Sequence, residues 1–408
     1  MKRIALVVCC VLLASMGWAN TERKYDYPIS NRYKATVVGT PMMYVAPVPM
    51  KIKVKNMSLK VFKDRKTPKI FWYSDKLKYS LAYQKERAPL IFIIAGTGAA
   101  YDSSKMKYLQ RAFFQAGFHV ISVTSPTHIN FIVNASTSMV PGRIVEDSED
   151  LYRVMELSYE QVKGKIDVSE FCLTGYSLGA SQAAFVSKLD EERKSFNFKK
   201  VLMINPPVNL FNSMEILDNM LVENIPGGLD NMEAFLDRFF QGLSVYYKEN
   251  NKIDFSDPDL LYDMYNRFHP KDTTLEALIG ISFRLSSGNM IFTSDVMKDA
   301  GYIVPQGAKL VTSSSLTNFG IVAYHTGFMD YFNEYFYPYF RTRNPDLTKE
   351  ELIREMSLES IATYLKNSDK IALMHNQDDI ILKPGEIDFF RQLFGARATI
   401  YPNGGHCG

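Results

Sequence analysis

Two short runs constrain this chain more than any other feature. Leu90-Ile91-Phe92-Ile93-Ile94 and Phe171-Cys172-Leu173 are uninterrupted apolar segments, and each runs on into glycines. The first ends in Ala95-Gly96-Thr97-Gly98, the second in Gly175-Tyr176-Ser177-Leu178-Gly179. A strand that is apolar on both faces belongs inside a parallel sheet with helices on both sides. Around these runs the spacing predicts helices over 103–116, 144–162 and 178–189, and strands over 118–123, 170–174 and 201–204. Strand, helix, strand at this spacing implies βαβ units with right-handed crossovers.

Before Leu90 the pattern is different. Short stretches alternate polar and apolar residues between Pro, Gly and Asp turns. They read as strands at Thr36–Val38, Lys51–Lys55, Ser58–Phe62, Lys69–Tyr73 and Lys78–Tyr83, antiparallel elements leading into the sheet. After Asn205 the rhythm stops at Pro206-Pro207. It resumes with a strand at Lys370–His375, a helix at Glu386–Phe394 and a strand at Ala398–Tyr401. The intervening 206–368 are rich in helical and aromatic signals, and long insertions in α/β enzymes are commonly lids or caps. The expected organisation is therefore a core over 20–205 and 369–408, split by a largely helical lid over 206–368.

Residues 1–19 stand apart. Lys2 and Arg3 precede an apolar run from Ile4 to Leu13, and Gly17-Trp18-Ala19 offers small residues before a cut at Asn20. This is the plan of a secretory signal peptide, and it predicts export to a periplasm or the medium. A membrane span needs about 20 apolar residues, and no later stretch qualifies. The 408 residues carry 46% hydrophobic and 22% charged side chains and a net charge of +3, values of a globular protein. No charge block points to a nucleic-acid partner. The histidines are scattered and no CxxC occurs, so neither metal nor cofactor is expected.

The sharpest chemical signal is the turn at 175–179. A serine between glycines, with a buried strand before it and a helix after it, sits on a strained turn that presents its hydroxyl. The helix N-terminus there faces any developing negative charge. A serine hydroxyl needs a base, and the base needs an orienting acid. His406, in Asn403-Gly404-Gly405-His406, follows the last expected strand and can bend back on its glycines. His375 ends a buried strand and reads as a packing or hydrogen-bonding residue. His119 lies within a strand, and His128, His269 and His325 fall in loops or the insertion. The acid should follow the strand at 370–375, where Asp378 and Asp379 are both available.

Together these pieces resemble the α/β-hydrolase superfamily, over roughly 90–205 and 369–408. In that superfamily a frequent acid-loop pattern is His-Gly-x-x-Asp with a nearby proline. His375-Asn376-Gln377-Asp378-Asp379 is similar, with Pro384 one residue late, and this implies Asp379 as the acid. The resemblance also implies that the N–H groups of Leu178 and Thr97 form an oxyanion hole, with Ala95-Gly96 standing where His-Gly is frequent. The family continues past its histidine into a last helix, whereas here Gly408 follows two residues later; either the sequence is a fragment or the fold lacks that helix, and a loop without that anchor would hold His406 less firmly.

The function so implied is that of an exported serine hydrolase, a carboxylesterase or lipase working through Ser177, His406 and Asp379 on a small-molecule or lipid-like acyl substrate. An acyltransferase, a peptidase, or a binding protein without turnover would share the same fold. An aromatic stripe in the insertion, Tyr324, Phe328, Tyr331, Phe332, Tyr335 and Phe336, has helical spacing and suits either core packing or a substrate wall. Cys172 and Cys407 are not expected to pair. Cys172 lies roughly 15 Å down its strand from Ser177, while His406 must reach the top, and a disulfide needs Cα atoms within about 7 Å.

Overall fold

The computed structural model describes residues 25–238, 241, 245 and 259–408; the expected signal segment 1–19 lies outside the described residues. Eight strands form one sheet: β1 (Val54–Leu59), β2 (Leu77–Ala82), β3 (Ala88–Ile94), β4 (His119–Val123), β5 (Val168–Tyr176), β6 (Lys200–Ile204), β7 (Ile371–Asn376) and β8 (Ala398–Tyr401). Their order is β1-β2-β4-β3-β5-β6-β7-β8. The β1/β2 and β2/β4 pairs are antiparallel and every other pair is parallel.

Strand β3 shows why an all-apolar run was needed. Leu90, Phe92 and Ile94 enter one hydrophobic cluster, and Ile91 and Ile93 enter another on the opposite face. The first cluster is built with helices α4 (Ile144–Val162) and α5 (Leu178–Arg193), the second with α2 (Ser104–Gln115). Strand β3 pairs with β4 on one side and β5 on the other, so the chain changes direction across the sheet there. Such switch points open a crevice at the carboxyl ends of the strands.

Three N-terminal expectations are corrected. Thr36–Val38 is not a strand but part of helix α1 (Arg32–Val38). Asn31 caps it, its side chain accepting the Lys34 N–H at 2.8 Å, which overrides the β-branched Thr-Val-Val run. Lys69–Tyr73 is a 3₁₀ turn, Lys69–Phe71, entered from Pro68. Lys51–Lys55 and Ser58–Phe62 merge into the one strand β1.

Between β6 and β7 the described chain is mainly helical, including α6 (Leu210–Asn224), α7 (Leu260–Phe268), α8 (Asp272–Lys298) and α9 (Thr317–His325). A buried ion pair joins them. Arg284 of α8 is 1% exposed and holds Asp218 Oδ1 of α6 through Nε at 2.9 Å and Nη2 at 2.5 Å. Its Nη1 donates to the carbonyls of Tyr324 and His325 at the end of α9. Asp218 Oδ2 accepts the Phe328 N–H at 3.0 Å. One pair thus fixes where α9 ends and the next helix begins, at a point where an unpartnered charge would be costly.

Candidate active site

Strand register gathers the site. Ile94 lies level with Gly175, Tyr176 with Ile204, Ile204 with Met374, and Asn376 with Tyr401. The segments that follow β3, β5, β6, β7 and β8 therefore emerge along one edge. They carry the 95–98 turn, Ser177, Asn205, Asp379 and His406.

Ser177 has φ 54° and ψ −129°, a conformation that L residues rarely adopt. The turn is closed by backbone contacts that exclude side chains on either flank. A Cβ on Gly175 would lie 2.2 Å from the Gly179 carbonyl oxygen, and one on Gly179 2.4 Å from that of Ile94. The Ser177 N–H donates to the Ile204 carbonyl at 2.9 Å, so the neighbouring strand holds the tip.

A continuous chain of polar contacts follows. Ser177 Oγ is 2.8 Å from His406 Nε2, and His406 Nδ1 is 3.0 and 3.1 Å from the two oxygens of Asp379. Asp379 is 5% exposed. Its Oδ2 accepts from Asn205 Nδ2 at 2.9 Å and its Oδ1 from the Ile381 N–H at 3.1 Å. Burial alone would push this carboxyl up, but the His406 ring outweighs it and holds the acid below its ordinary value. Burial resists charging His406, yet Asp379, with the Cys407 sulfur, holds the ring's pKa above the ordinary histidine value.

Asp378 has a different task. Its Oδ1 accepts the Gly405 N–H at 2.9 Å, while Asn376 Nδ2 donates to the Gly405 carbonyl at 2.9 Å. Burial raises its pKa against these glycine N–H bonds. The adjacent carboxylates are thus divided, one on the imidazole and one on the loop that carries it. His406 N–H donates to Thr36 Oγ1 of α1 at 2.8 Å. The loop is therefore held by Asp378, Asn376 and Thr36.

The other histidines are occupied elsewhere. His375 donates from Nε2 to the Pro206 carbonyl at 3.0 Å and accepts the Asn376 N–H on Nδ1, 3.8 Å from Asp379. His119 bridges the Gln84 N–H and the Asp167 carbonyl. His128 caps the helix Ile129–Asn134, His269 ends α7 in a left-handed conformation, and His325 closes α9. Cys172 is buried in β5, Cys407 lies beside His406, and the two are free. Among the described residues no cluster of His, Cys, Asp and Glu could hold a metal, and no helix is long and apolar enough to cross a membrane.

Leu178 opens α5, so its N–H is one of the donors a helix start leaves without an intrahelical partner. Thr97 sits on the facing turn, whose Gly98 N–H donates to Thr127 Oγ1 at 2.8 Å. Both Thr97 and Leu178, with Ser177, line a cavity of about 870 Å³, measured to its open mouth. Among the described residues its wall is apolar or aromatic apart from hydroxyls, with no charged side chain.

The aromatic stripe divides over this cavity. Phe328, Tyr331, Phe332 and Phe336 line it. Tyr335 turns away, bonded to Ser294 Oγ at 3.1 Å and stacked on Tyr302 at 5.3 Å. Tyr324 is on α9 and bonds Asn289. A π-helical turn over Phe332–Phe336 brings Phe332 and Phe336 together on one side, ring centroids 5.9 Å apart.

Sequence reasoning missed Asn205, Asn376 and Thr36. Asn205 was legible only as the end of β6, where no acid stands; its role follows from a register that aligns it with β7.

Strand order, switch point and strained serine turn define an α/β-hydrolase fold. No protein-family model and no curated protein matches the sequence. Solved structures that it is similar to include an acylaminoacyl peptidase from Pyrococcus horikoshii, at 13% identity and TM-score 0.40, covering 88% of this chain and 38% of that one. An esterase from the archaeon Pyrobaculum calidifontis matches at 12% identity and TM-score 0.38, covering 88% and 78%. Est1E from Butyrivibrio proteoclasticus matches at 16% identity and TM-score 0.25 over 32% of this chain, which spans 47% of Est1E.

The Asp379–His406 contact sets a sign for pH dependence. A base must be neutral to take a proton, and this ring holds its proton more tightly than free histidine does. The acid limb of kcat/KM is expected above about 6.5. Asp379→Asn should lower turnover by roughly 10⁴-fold and bring any residual limb down. Asp378→Asn keeps an acceptor for Gly405 and should cost far less. A pH–rate series on the three proteins checks this; an acid limb below the ordinary value, or the reverse ranking, contradicts it.

Proposed function

We propose that this protein is an exported serine hydrolase that cleaves esters in the manner of a carboxylesterase or lipase. The observation that carries the reading is the Ser177–His406–Asp379 chain, at 2.8 and 3.0 Å, beside a cavity whose described wall is chiefly apolar. Ser177 Oγ attacks the ester carbonyl and bonds its carbon as His406 Nε2 takes the hydroxyl proton. The N–H groups of Leu178 and Thr97 receive the oxyanion, and losing one such donor typically costs about 10²–10³-fold in rate. Collapse breaks the bond to the leaving alcohol, which takes the proton from His406. Water, activated by the same ring, then releases the acid and frees Ser177. Asp379 holds the imidazole tautomer throughout, with Asn205 steadying the carboxylate.

The cavity favours this reading over the peptidase one. Among the described residues the wall is built chiefly from apolar and aromatic side chains, which suits the neutral acyl part of an ester better than a charged peptide terminus. In this reading 206–368 form the lid, because they supply Phe328, Phe332 and Phe336 to the cavity wall. The signal-like residues 1–19 support export, which a mature N-terminus at Asn20 in protein recovered from cells would bear out and an intact Met1 would overturn.

A fluorophosphonate probe tests the core of the proposal. Wild type should be labelled at one serine, and Ser177→Ala should abolish labelling and ester turnover while keeping its melting temperature. Labelling that persists in the variant would move the nucleophile elsewhere. An ester panel read with and without alcohol acceptors separates hydrolysis from acyl transfer. The split stripe gives a second test. Phe332→Ala should change acyl-length preference. Tyr335→Ala should lower stability alone, by about 3–5 kcal/mol if it behaves as a buried aromatic truncation. Equal effects of the two on preference would remove Phe332 from the wall.

A further inference from the structure

Helix α1 lies before the sheet in sequence, yet it is wedged between the two loops that carry His406 and Asp379. Its apolar side, Tyr33 and Val37, packs into a cluster with Ile380 and Ile381, the two residues after Asp379. Met220 of α6 and Ile279 of α8 belong to the same cluster. On another side Arg32 and Thr36, one helical turn apart, receive the histidine loop. A Cβ on Gly405 would lie 2.2 Å from the Arg32 carbonyl oxygen and 2.5 Å from Thr36 Oγ1, so this glycine is required by the seat itself. The helix is anchored from outside by Asn31 Nδ2, which donates to Asp272 Oδ1 at 2.8 Å, and by Lys34, 3.9 Å above the Tyr265 ring. Tyr25 extends the seat. Its hydroxyl donates to the Asn403 carbonyl, and its ring stacks on Tyr401 at 5.3 Å.

We infer that Thr36 is a positioning residue for catalysis. Its hydroxyl donates to the Arg32 carbonyl at 2.8 Å and so turns its lone pairs outward, where one accepts the His406 N–H at 2.8 Å. This ties the backbone of the base to a helix whose other side touches the acid loop. The helix thereby sets the distance between His406 and Asp379, and with it the approach of Nε2 to Ser177. Valine at this position keeps the shape and removes the acceptor. The His406 N–H then has no partner, and the loop relaxes away from Ser177 and Asp379 together.

The inference rests on the serine-hydrolase reading, and the test separates the two. The probe is a fluorophosphonate: Ser177 Oγ bonds phosphorus, fluoride leaves, and the hydroxyl proton passes to His406. The maximal inactivation rate and the half-saturating probe concentration are measured against pH for wild type, Thr36→Ser, Thr36→Val and Thr36→Ala, with Ser177→Ala as control. Thr36→Val should lose about 10- to 100-fold in maximal rate, the loss expected for one buried hydrogen bond, with half-saturation unchanged. Its acid limb should move down toward ordinary histidine as the ring leaves Asp379. Thr36→Ser should restore both rate and limb, and Thr36→Ala should follow valine. A folded Thr36→Val with the wild-type rate, or a serine variant as slow as valine, overturns the inference. If valine and alanine both fail to fold, the serine variant still decides, since wild-type rate and limb support the inference and a slow, folded protein refutes it. Labelling of Ser177→Ala would instead refute Ser177 as the nucleophile on which the hydrolase reading rests, whatever the Thr36 series does.

Discussion

The site depends on a contact between two pieces of backbone. Gly179, at the start of α5, lies so close to the end of β3 that an added methyl would meet the Ile94 carbonyl at 2.4 Å. That approach presses the helix N-terminus against the neighbouring strand and leaves Ser177 only the strained φ of 54°. The strain is supported on both sides, by the β3 contact and by the Ser177 N–H bond to Ile204 of β6. Such a conformation survives only where its surroundings over-determine it. The flanking strands do so here, because β3, β5 and β6 are buried in the middle of an eight-stranded sheet.

From that fixed point the geometry becomes less local. The serine is placed by residues within five positions of it and by the adjacent strands. The acid is placed by its own loop and by Asn205 on the neighbouring strand. The histidine depends on contacts from far away: Asn376 at the end of β7, Asp378 in the loop after it, and Thr36 of α1. Each step outward replaces backbone constraint with side-chain hydrogen bonds. These are individually worth about 1 kcal/mol net, so several are needed where one backbone contact suffices at the serine.

The same gradient decided what could be read from the sequence. The buried strands and the elbow were legible because each is written in consecutive residues: an apolar run, then glycines at fixed offsets. Helices 144–162 and 386–394 and strand 398–401 match their expected limits for the same reason. Choosing between Asp378 and Asp379 took the resemblance to a family pattern, because both carboxylates have identical chemistry and differ only in which way each loop bond turns. Helix α1 was not legible. Its Thr-Val-Val segment has the composition of a strand, and what makes it a helix is the Asn31 cap and the packing of Tyr33 and Val37 against a loop more than 300 residues later. The aromatic stripe was legible as helical, but its division between cavity and core was not. That division follows from the π turn at 332–336, which changes the angular step between rings in a way spacing alone does not encode.

The helices between β6 and β7 reach the site from two directions. Helix α8 carries Asp272 against Asn31 at one end and Arg284 against Asp218 in its middle, while Ser286 sits within contact of Gly98 in the 95–98 turn. One rigid element therefore touches the helix that seats His406 and the turn that bears Thr97. Burial of Arg284 makes that element hard to shift, since parting it from Asp218 would leave a charge without a partner in an apolar setting. The same helix lines the cavity through Phe283, Met290 and Ile291, beside Phe332 and Phe336 of the π turn. A shift of α8 would therefore disturb the cavity wall and the seat of His406 together.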